Sequence, residues 1–401
     1  MANSYLKPDA ITAEALRVLH NHLPFIKNID KQHDKETTFG GQKRGASIRV
    51  RKPNQYQVRT GWAIDAQDQE EQSETLTIGT VKGVDMNFTD ADLALEINEF
   101  SRRFITPACK RLASEVDLLT FQNMYRQVYN SVGTPGTSPA TALVYLNAGQ
   151  KLDENAAPID DRCMIVDPRS QATTVDALKG LFNPSNEISK QYTKGRMGNA
   201  LGFDWFMSQN VPNHTTGSRV GTILVDGTSV EASSTIHVDG LTNATDTFKA
   251  GDVFTVAAVF AVNPETKQVQ QHLQQFVVTE DATASGNEVD LTVSPALYTA
   301  TSGALQTISA LPTDGAAITP LGTASTIYPQ NMAFYKDAFT FASANLEMPS
   351  DVSFKGQMEV DGINMRILRQ FDINNSNYPC RIDIFFGSLA QRPSQACRVT
   401  G

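Results

Sequence analysis

The sequence predicts an α+β chain in which a strand-rich unit interrupts a mixed framework, and three observations carry that reading. A long amphipathic helix starts near Thr106, with Pro107 at the position helices favour first and Ile105, Cys109, Leu112, Val116 and Leu119 on one face. Residues 213–327 turn to Thr, Val, Gly and Asp with almost no helical periodicity. A polar stretch over 40–82 is segregated by charge and bounded by two short alternating runs.

In chain order, Ile11, Ala15, Leu19 and Leu23 recur every four residues and predict a short helix that Pro24 breaks. A helix this short is not stable alone, so its stripe must lie against its own body or a neighbouring chain. Ile48 and Val50 then alternate with Arg49 and Arg51, and Leu76 and Ile78 alternate with threonines, as two strands would. Between them, Arg44, Arg49, Arg51, Lys52 and Arg59 occupy the first half; Asp65, Asp68, Glu70, Glu71 and Glu74 occupy the second. Such a hairpin is either a solvated surface feature or an arm that pairs its charge with a neighbour.

The long helix is predicted to reach about Tyr129, roughly 35 Å at 1.5 Å per residue, and the Gly-, Pro- and Ser-rich stretch from Ser131 to Ala140 ends it. Cys163–Val166 and Gly202–Met207 read as strands and Val175–Lys179 as a short helix. In the strand-rich unit, Thr222–Val225, Asp252–Val262, Gln275–Thr279 and Glu288–Val293 are strand candidates, with turns at Asn263–Thr266 and Ser285–Asn287. Strands at this spacing suggest a small β-barrel or sandwich. Asn331–Ala342 reads as one aromatic strand, and Asn364–Gln370 and Arg381–Phe386 alternate again.

Composition excludes several functions. The 401 residues are 40% hydrophobic and 19% charged, with a net charge of -9, unlike a surface built to neutralise phosphates. No run of about 18 apolar residues occurs, and the opening MANSYLKP is too polar for a secretory signal. Cys109, Cys163, Cys380 and Cys397 are scattered, as reduced core thiols are. Gly40–Gly45 has the outer spacing of a phosphate loop, but Ala46 stands where its lysine belongs. His20 and His22 fall on different helix faces; His33, His214, His237 and His272 lie in unlike segments without metal-ligand spacing. No GxSxG elbow occurs, and the adjacent acids Asp160–Asp161 and Glu70–Glu71 read as solvated. Neither a catalytic residue nor a cofactor or metal ligand is indicated.

Several phrases resemble the coat protein family of phage P22 and its prophage relatives. They are EINEFSRRFITPACKRLASEVD in the long helix, GNALGFDWFMSQNVPNHTTG from Gly198 to Gly217, and FKAGDVFTV, AVNPETK and LQQFVV between Phe248 and Val278. NMAFYKDAFTFA, GINMRILRQFDINN, YPCRIDIFFG and ACRV follow toward the end. Their order is the family's, and they span almost the whole chain. The resemblance implies an HK97-like capsid fold with an inserted β-barrel accessory domain. Its parts would be an N-terminal arm over 1–35, an extended E-loop over 36–82 and a peripheral domain with a spine helix over 83–135. The first part of an axial domain would cover 136–212, the inserted domain 213–327, and the axial and peripheral return 328–401.

The implied function is that of a major capsid protein, which self-assembles as hexamers and pentamers into an icosahedral shell around the double-stranded DNA of a tailed phage. No enzymatic activity, cofactor or membrane is implied. The partners would be further copies of the chain, a scaffolding protein and a portal during assembly in the host cytoplasm, and packaged DNA held without sequence-specific binding in the virion. An acidic subunit suits a shell that must not retain DNA during packaging. Arg49, Arg51, Arg59, Asp65, Asp68, Glu70 and Glu71 are the candidate intersubunit contacts; by carry-over from the family, Asp9 and Glu14 would meet the scaffolding protein. An encapsulin-like compartment protein shares the fold but normally lacks the insertion. A tail or adhesion protein would lack the spine helix, and an uncharacterised hydrolase would leave a catalytic motif.

Overall fold

The computed structural model describes residues 15, 19, 23–31, 47–59, 61–64, 72–89, 104–178, 198–352, 354–360, 362–373 and 377–401. The chain forms two compact units, one of residues 1–50, 74–121 and 339–389 and the other of 51–73, 122–338 and 390–401.

The first unit is built on the long strand Asn377–Leu389. It pairs antiparallel with Thr80–Thr89, with Ile363–Arg369 and, through its last residues, with Thr340–Ser343. Phe354–Val360 completes the sheet by pairing with Ile363–Arg369. Ile382, Ile384 and Phe386 are buried at alternate positions, as a strand requires. Asp383 between them is also buried, and accepts from Arg366 and Arg381 at 2.7 Å each.

Helix α1, Thr106–Tyr125, begins in this unit and buries Cys109, Leu112, Ala113 and Val116 along the expected stripe. It differs from the sequence reading at both ends. Phe104 and Ile105 already have π-helical backbone, so Thr106 lies inside the helix and does not cap it. Hydrogen bonds tighten to i−3 at Gln127 and Val128, which ends the helix at Tyr125, short of Tyr129.

The early apolar stripe packs on its own body: Ala15, Leu19 and Leu23 are buried, whereas Ile11 lies outside the described residues. Pro24 leads into a 3-10 turn, Ile26–Asn28. The Phe25 and Ile26 amides donate to the buried Asp117 Oδ1 of α1 (3.1 and 3.2 Å), and Phe25 stacks on Phe121 at 4.4 Å.

The second unit holds two large sheets, beside a small ladder of Thr247–Phe248 with Ala282–Thr283. One runs in the order Ser131–Gly133, Ala396–Thr400, Ile327–Tyr335, Arg162–Val166, Phe203–Met207, Asn199–Ala200. Helices α2 (Ala142–Glu154) and α3 (Pro168–Leu178) accompany it. Tyr145, Ala148 and Leu152 of α2 pack against Met164, Val166, Phe203, Ala333 and Val399. Leu201 and Gly202, at φ 56° and 81°, turn Asn199–Ala200 back onto Phe203–Met207, which is what the Gly in the GFD phrase permits. The predicted aromatic strand Asn331–Ala342 is two strands. The 3-10 turn Lys336–Ala338 divides Ile327–Tyr335 in the second unit from Thr340–Ser343 in the first.

The other sheet is antiparallel, in the order Ile318–Pro320, Val253–Val262, Val269–Val278, Val289–Ser294, Thr235–Leu241, Gly221–Val225. Its first and last strands meet through an antiparallel bridge, Leu224 to Ala317, and this closes the barrel. Val225, Ile236, Val238, Phe248, Phe254, Val256, Phe276, Val278, Leu291 and Ile308 fill the interior.

Candidate assembly surface

The charged hairpin has an apolar root and an apolar tip. Its strands Ser47–Arg51 and Ser73–Thr77 pair, and the Lys52 amide donates to the Gln72 carbonyl at 2.8 Å. At the root, Val50, Leu76 and Ile78 pack with Ala342. Beyond it, Tyr56, Val58, Trp62 and Ile64 are 65%, 92%, 100% and 88% exposed. Four large apolar side chains within nine positions of chain, all turned to water, are the mark of a surface meant to be covered.

The candidate arginines sit on this hairpin. Arg49, Arg51 and Arg59 are exposed. Arg59 donates to the carbonyls of Gly61 and, at 2.9 Å, Ala63, and so holds the bend around Trp62 in shape. Asp65, Asp68, Glu70 and Glu71, like Asp9 and Glu14, lie outside the described residues. Sequence reasoning found the charges and missed the apolar tip. The signal was present in the alternation of Tyr56, Val58, Trp62 and Ile64 at every second or fourth position, hidden among polar neighbours.

A second group of residues is buried, and the resembling phrases converge on it. His214 comes from the NHT exit, Asp252 from FKAGDVFTV, Arg398 from ACRV, and Tyr125 from the end of α1. His214 Nε2–H donates to Asp252 Oδ1 at 2.9 Å, and Tyr125 Oη lies 3.2 Å from Nδ1. Asp252 Oδ2 accepts from Arg219 Nη1 (2.8 Å) and from the amides of Gly217 (3.1 Å) and Lys249 (2.9 Å). Arg398 Nη1 donates to the Gly251 carbonyl at 2.7 Å, with its guanidinium 5.9 Å from the Tyr125 ring. Burial works to raise the Asp252 carboxyl, but the His214 bond, the Arg219 charge and the Lys249 amide outweigh it, so Asp252 titrates below the usual carboxylate range. Burial lowers the Arg398 guanidinium and raises the Tyr328 hydroxyl. This knot fastens the barrel's entry and exit segments to the sheet beside it within the second unit.

Among the described residues, no helix is long and apolar enough to cross a membrane. The four cysteines are buried free thiols.

The model of one protein family, described as P22 coat protein - gene protein 5, matches residues 9–401. No curated protein matches the sequence. Among solved structures, the chain is similar to one from Mycobacterium phage Che8, at 10% identity and a TM-score of 0.47, over 100% of this chain and 93% of that one. It is also similar to the capsid structure of the cyanophage P-SCSP1u, at 10% identity and a TM-score of 0.46, over 89% and 83%. The CUS-3 coat protein I-domain matches at 22% identity and a TM-score of 0.20, over 26% of this chain and 98% of that domain.

Proposed function

The chain belongs to the P22 coat protein family and is the major capsid protein of a tailed phage, and from that premise we propose how its copies meet. The hairpin reaches a neighbouring subunit, where Tyr56, Val58, Trp62 and Ile64 become buried and Arg49, Arg51 and Arg59 face acidic groups. The exposed apolar tip is the observation that carries this reading. Covering a large apolar side chain contributes about 1.5–3 kcal/mol, and closure of a lattice repeats the contact at every subunit, so that modest interfaces sum.

The HK97-like division of the chain supports the same reading. The arm would cover 1–35, the E-loop 36–82, the spine-helix domain 83–135, the axial domain 136–212 with its return over 328–401, and the insertion 213–327. The closed barrel with its own core supports treating 213–327 as a separate folding unit, and it favours a coat protein over an encapsulin-like compartment. Asp9 and Glu14 are the proposed docking residues for a basic scaffolding protein. A portal would join during assembly in the host cytoplasm. The net charge of -9 suits an inner wall that encloses double-stranded DNA without gripping it.

Negative-stain microscopy of the expressed chain, with and without its scaffolding protein, tests the reading. Closed shells of uniform diameter are expected. Dispersed monomers under every condition, with the subunit folded by circular dichroism, would refute it.

A further inference from the structure

We propose that the outer face of the β-barrel binds one divalent transition-metal ion of the zinc class, held by His237 Nε2 and the carboxylates of Asp226 and Glu288. The three residues are far apart in sequence, and the sheet brings them together. His237 lies in the strand Thr235–Leu241, Asp226 follows Gly221–Val225, and Glu288 precedes Val289–Ser294. The backbone fixes their register: His237 is the cross-strand partner of Asp290, and the Asp226 amide donates to the His237 carbonyl at 2.9 Å.

The orientation of the imidazole carries the argument. Asp290 Oδ1 is 2.6 Å from Nδ1, and a carboxylate only accepts, so Nδ1 bears a proton. A carboxylate behind one ring nitrogen is the arrangement that orients a metal-bound histidine and raises its basicity. Nε2 is thereby turned toward two further carboxylate oxygens, Asp226 Oδ2 at 3.2 Å and Glu288 Oε2 at 3.7 Å. Nε2 meets these oxygens favourably only through a positive charge, either its own proton or a bound cation, and a metal ion is the occupant that would draw on all three ligand atoms at once. Zinc bonds of about 2.0–2.2 Å in tetrahedral geometry set neighbouring ligand atoms about 3.3 Å apart, and the two observed distances bracket that value. The three ligand atoms lie within 4.8 Å of one another. Glu288 is half-exposed, so its side chain has room to turn toward an ion.

A groove of about 450 Å³ runs beside the cluster, lined by His237, Glu280, Asp281, Glu288, Asp290 and Thr292. It gives an ion access from solvent and leaves its remaining coordination positions to water. Asp281 is held by Lys249 at 2.9 Å and is not counted as a ligand. The thiols do not compete: burial pushes Cys109, Cys163 and Cys397 up to about 12 and Cys380 up to about 11, so they keep their protons.

The proton is the competitor. The Asp290 hydrogen bond, with the charges of Asp290, Asp226 and Glu288 around the ring, raises His237 above the ordinary histidine value. Above that pKa Nε2 is free to bind; as pH falls through it, the proton takes the metal's place and affinity drops.

Calorimetric titration of the folded full-length chain with zinc chloride, paralleled by cobalt(II) absorption spectroscopy, tests the site. One ion per chain is expected, with binding weakening as pH falls through the His237 titration. His237→Ala and Asp226→Asn should abolish saturable binding while circular dichroism stays unchanged, because both side chains are partly exposed. Asp290→Asn, a change at a positioning residue, should weaken binding about 10–100-fold and lower the pH at which it is lost. Absence of one-to-one binding by the wild type, or equal binding by wild type and His237→Ala, overturns the proposal.

Discussion

In the β-barrel, Phe248, Phe254 and Phe276 lose essentially all contact with water, whereas in the hairpin Trp62 keeps its whole surface in it. The two regions use similar apolar residues in alternating runs. In the barrel each run has a facing strand, and closure through Leu224 and Ala317 gives every inward side chain a partner from the same chain. The hairpin has two short paired strands at its root, while Val58, Trp62 and Ile64 farther along it keep most of their surface in solvent. The difference separates residues that stabilise the subunit from residues that stabilise the assembly. A substitution in the first region should be read in monomer melting, and one in the second only in shell formation.

The sharpest test of that separation is in the barrel. Phe276 is fully buried and its ring lies 5.8 Å from that of Phe254. Phe276→Ala should cost about 3–5 kcal/mol in urea unfolding of the monomer, and shells should be lost only because the subunit unfolds. The fragment 213–327, expressed alone, should give a dispersed amide spectrum. A random-coil spectrum would mean that the barrel depends on the rest of the second unit.

The buried knot should give an effect nearly as large. Asp252→Asn leaves Arg219 buried without its carboxylate, and breaking a buried pair costs about 3–5 kcal/mol. Its pH dependence has a definite sign. Asp252 titrates below its unfolded value of about 3.9 when folded. Its contribution is therefore complete above that value and is lost as pH falls through the folded pKa. Acid unfolding of the wild type should show this loss, and Asp252→Asn should flatten it. Equal acid limbs in the two proteins would remove Asp252 from the account.

Much of this architecture was legible because it is local. The stripe Ile105, Cys109, Leu112, Val116 fixes a helix whatever surrounds it, and the apolar run of Val253–Val262 and the alternation in Val289–Ser294 do the same for strands. Helix α2 escaped notice because Leu143 and Leu146 point to water while Tyr145, Ala148 and Leu152 point inward, which blurs the stripe. Asn331–Ala342 looked continuous because the turn at Lys336–Ala338 is only three residues long, and its charged pair Lys336 and Asp337 interrupts the apolar run too briefly to read as a loop. The barrel's surface cluster was beyond sequence spacing altogether. His237 lies opposite Asp290 only through strand pairing, and no count of intervening residues brings Asp226, His237 and Glu288 together. The buried role of His214 was invisible for the same reason.

At the hairpin the expected effect moves from stability to assembly. Val58→Ser with Trp62→Ser should leave monomer melting within about 0.5 kcal/mol of wild type, as exposed substitutions do. Shell yield should fall sharply, because each copy loses two apolar contacts at its interface. Normal shells from this double variant would show that the tip stays in solvent after assembly.

The smallest effect per contact belongs to the arginines. Exposed pairs contribute about 0–1 kcal/mol each, so Arg49→Glu with Arg51→Glu should hardly move monomer melting. In a lattice the same pair recurs at every subunit, and reversing its sign turns a weak attraction into a weak repulsion throughout the shell. Assembly should slow or stop, and raised salt should both weaken wild-type shells and partly restore the variant, since screening acts on attraction and repulsion alike. That opposite response to salt distinguishes contacts between subunits from a merely solvated face, for which neither protein would respond. If the double reversal unfolds the monomer instead, Arg49 and Arg51 belong with Val50 and Leu76 to the root of the hairpin, and only the apolar tip remains to meet a neighbour.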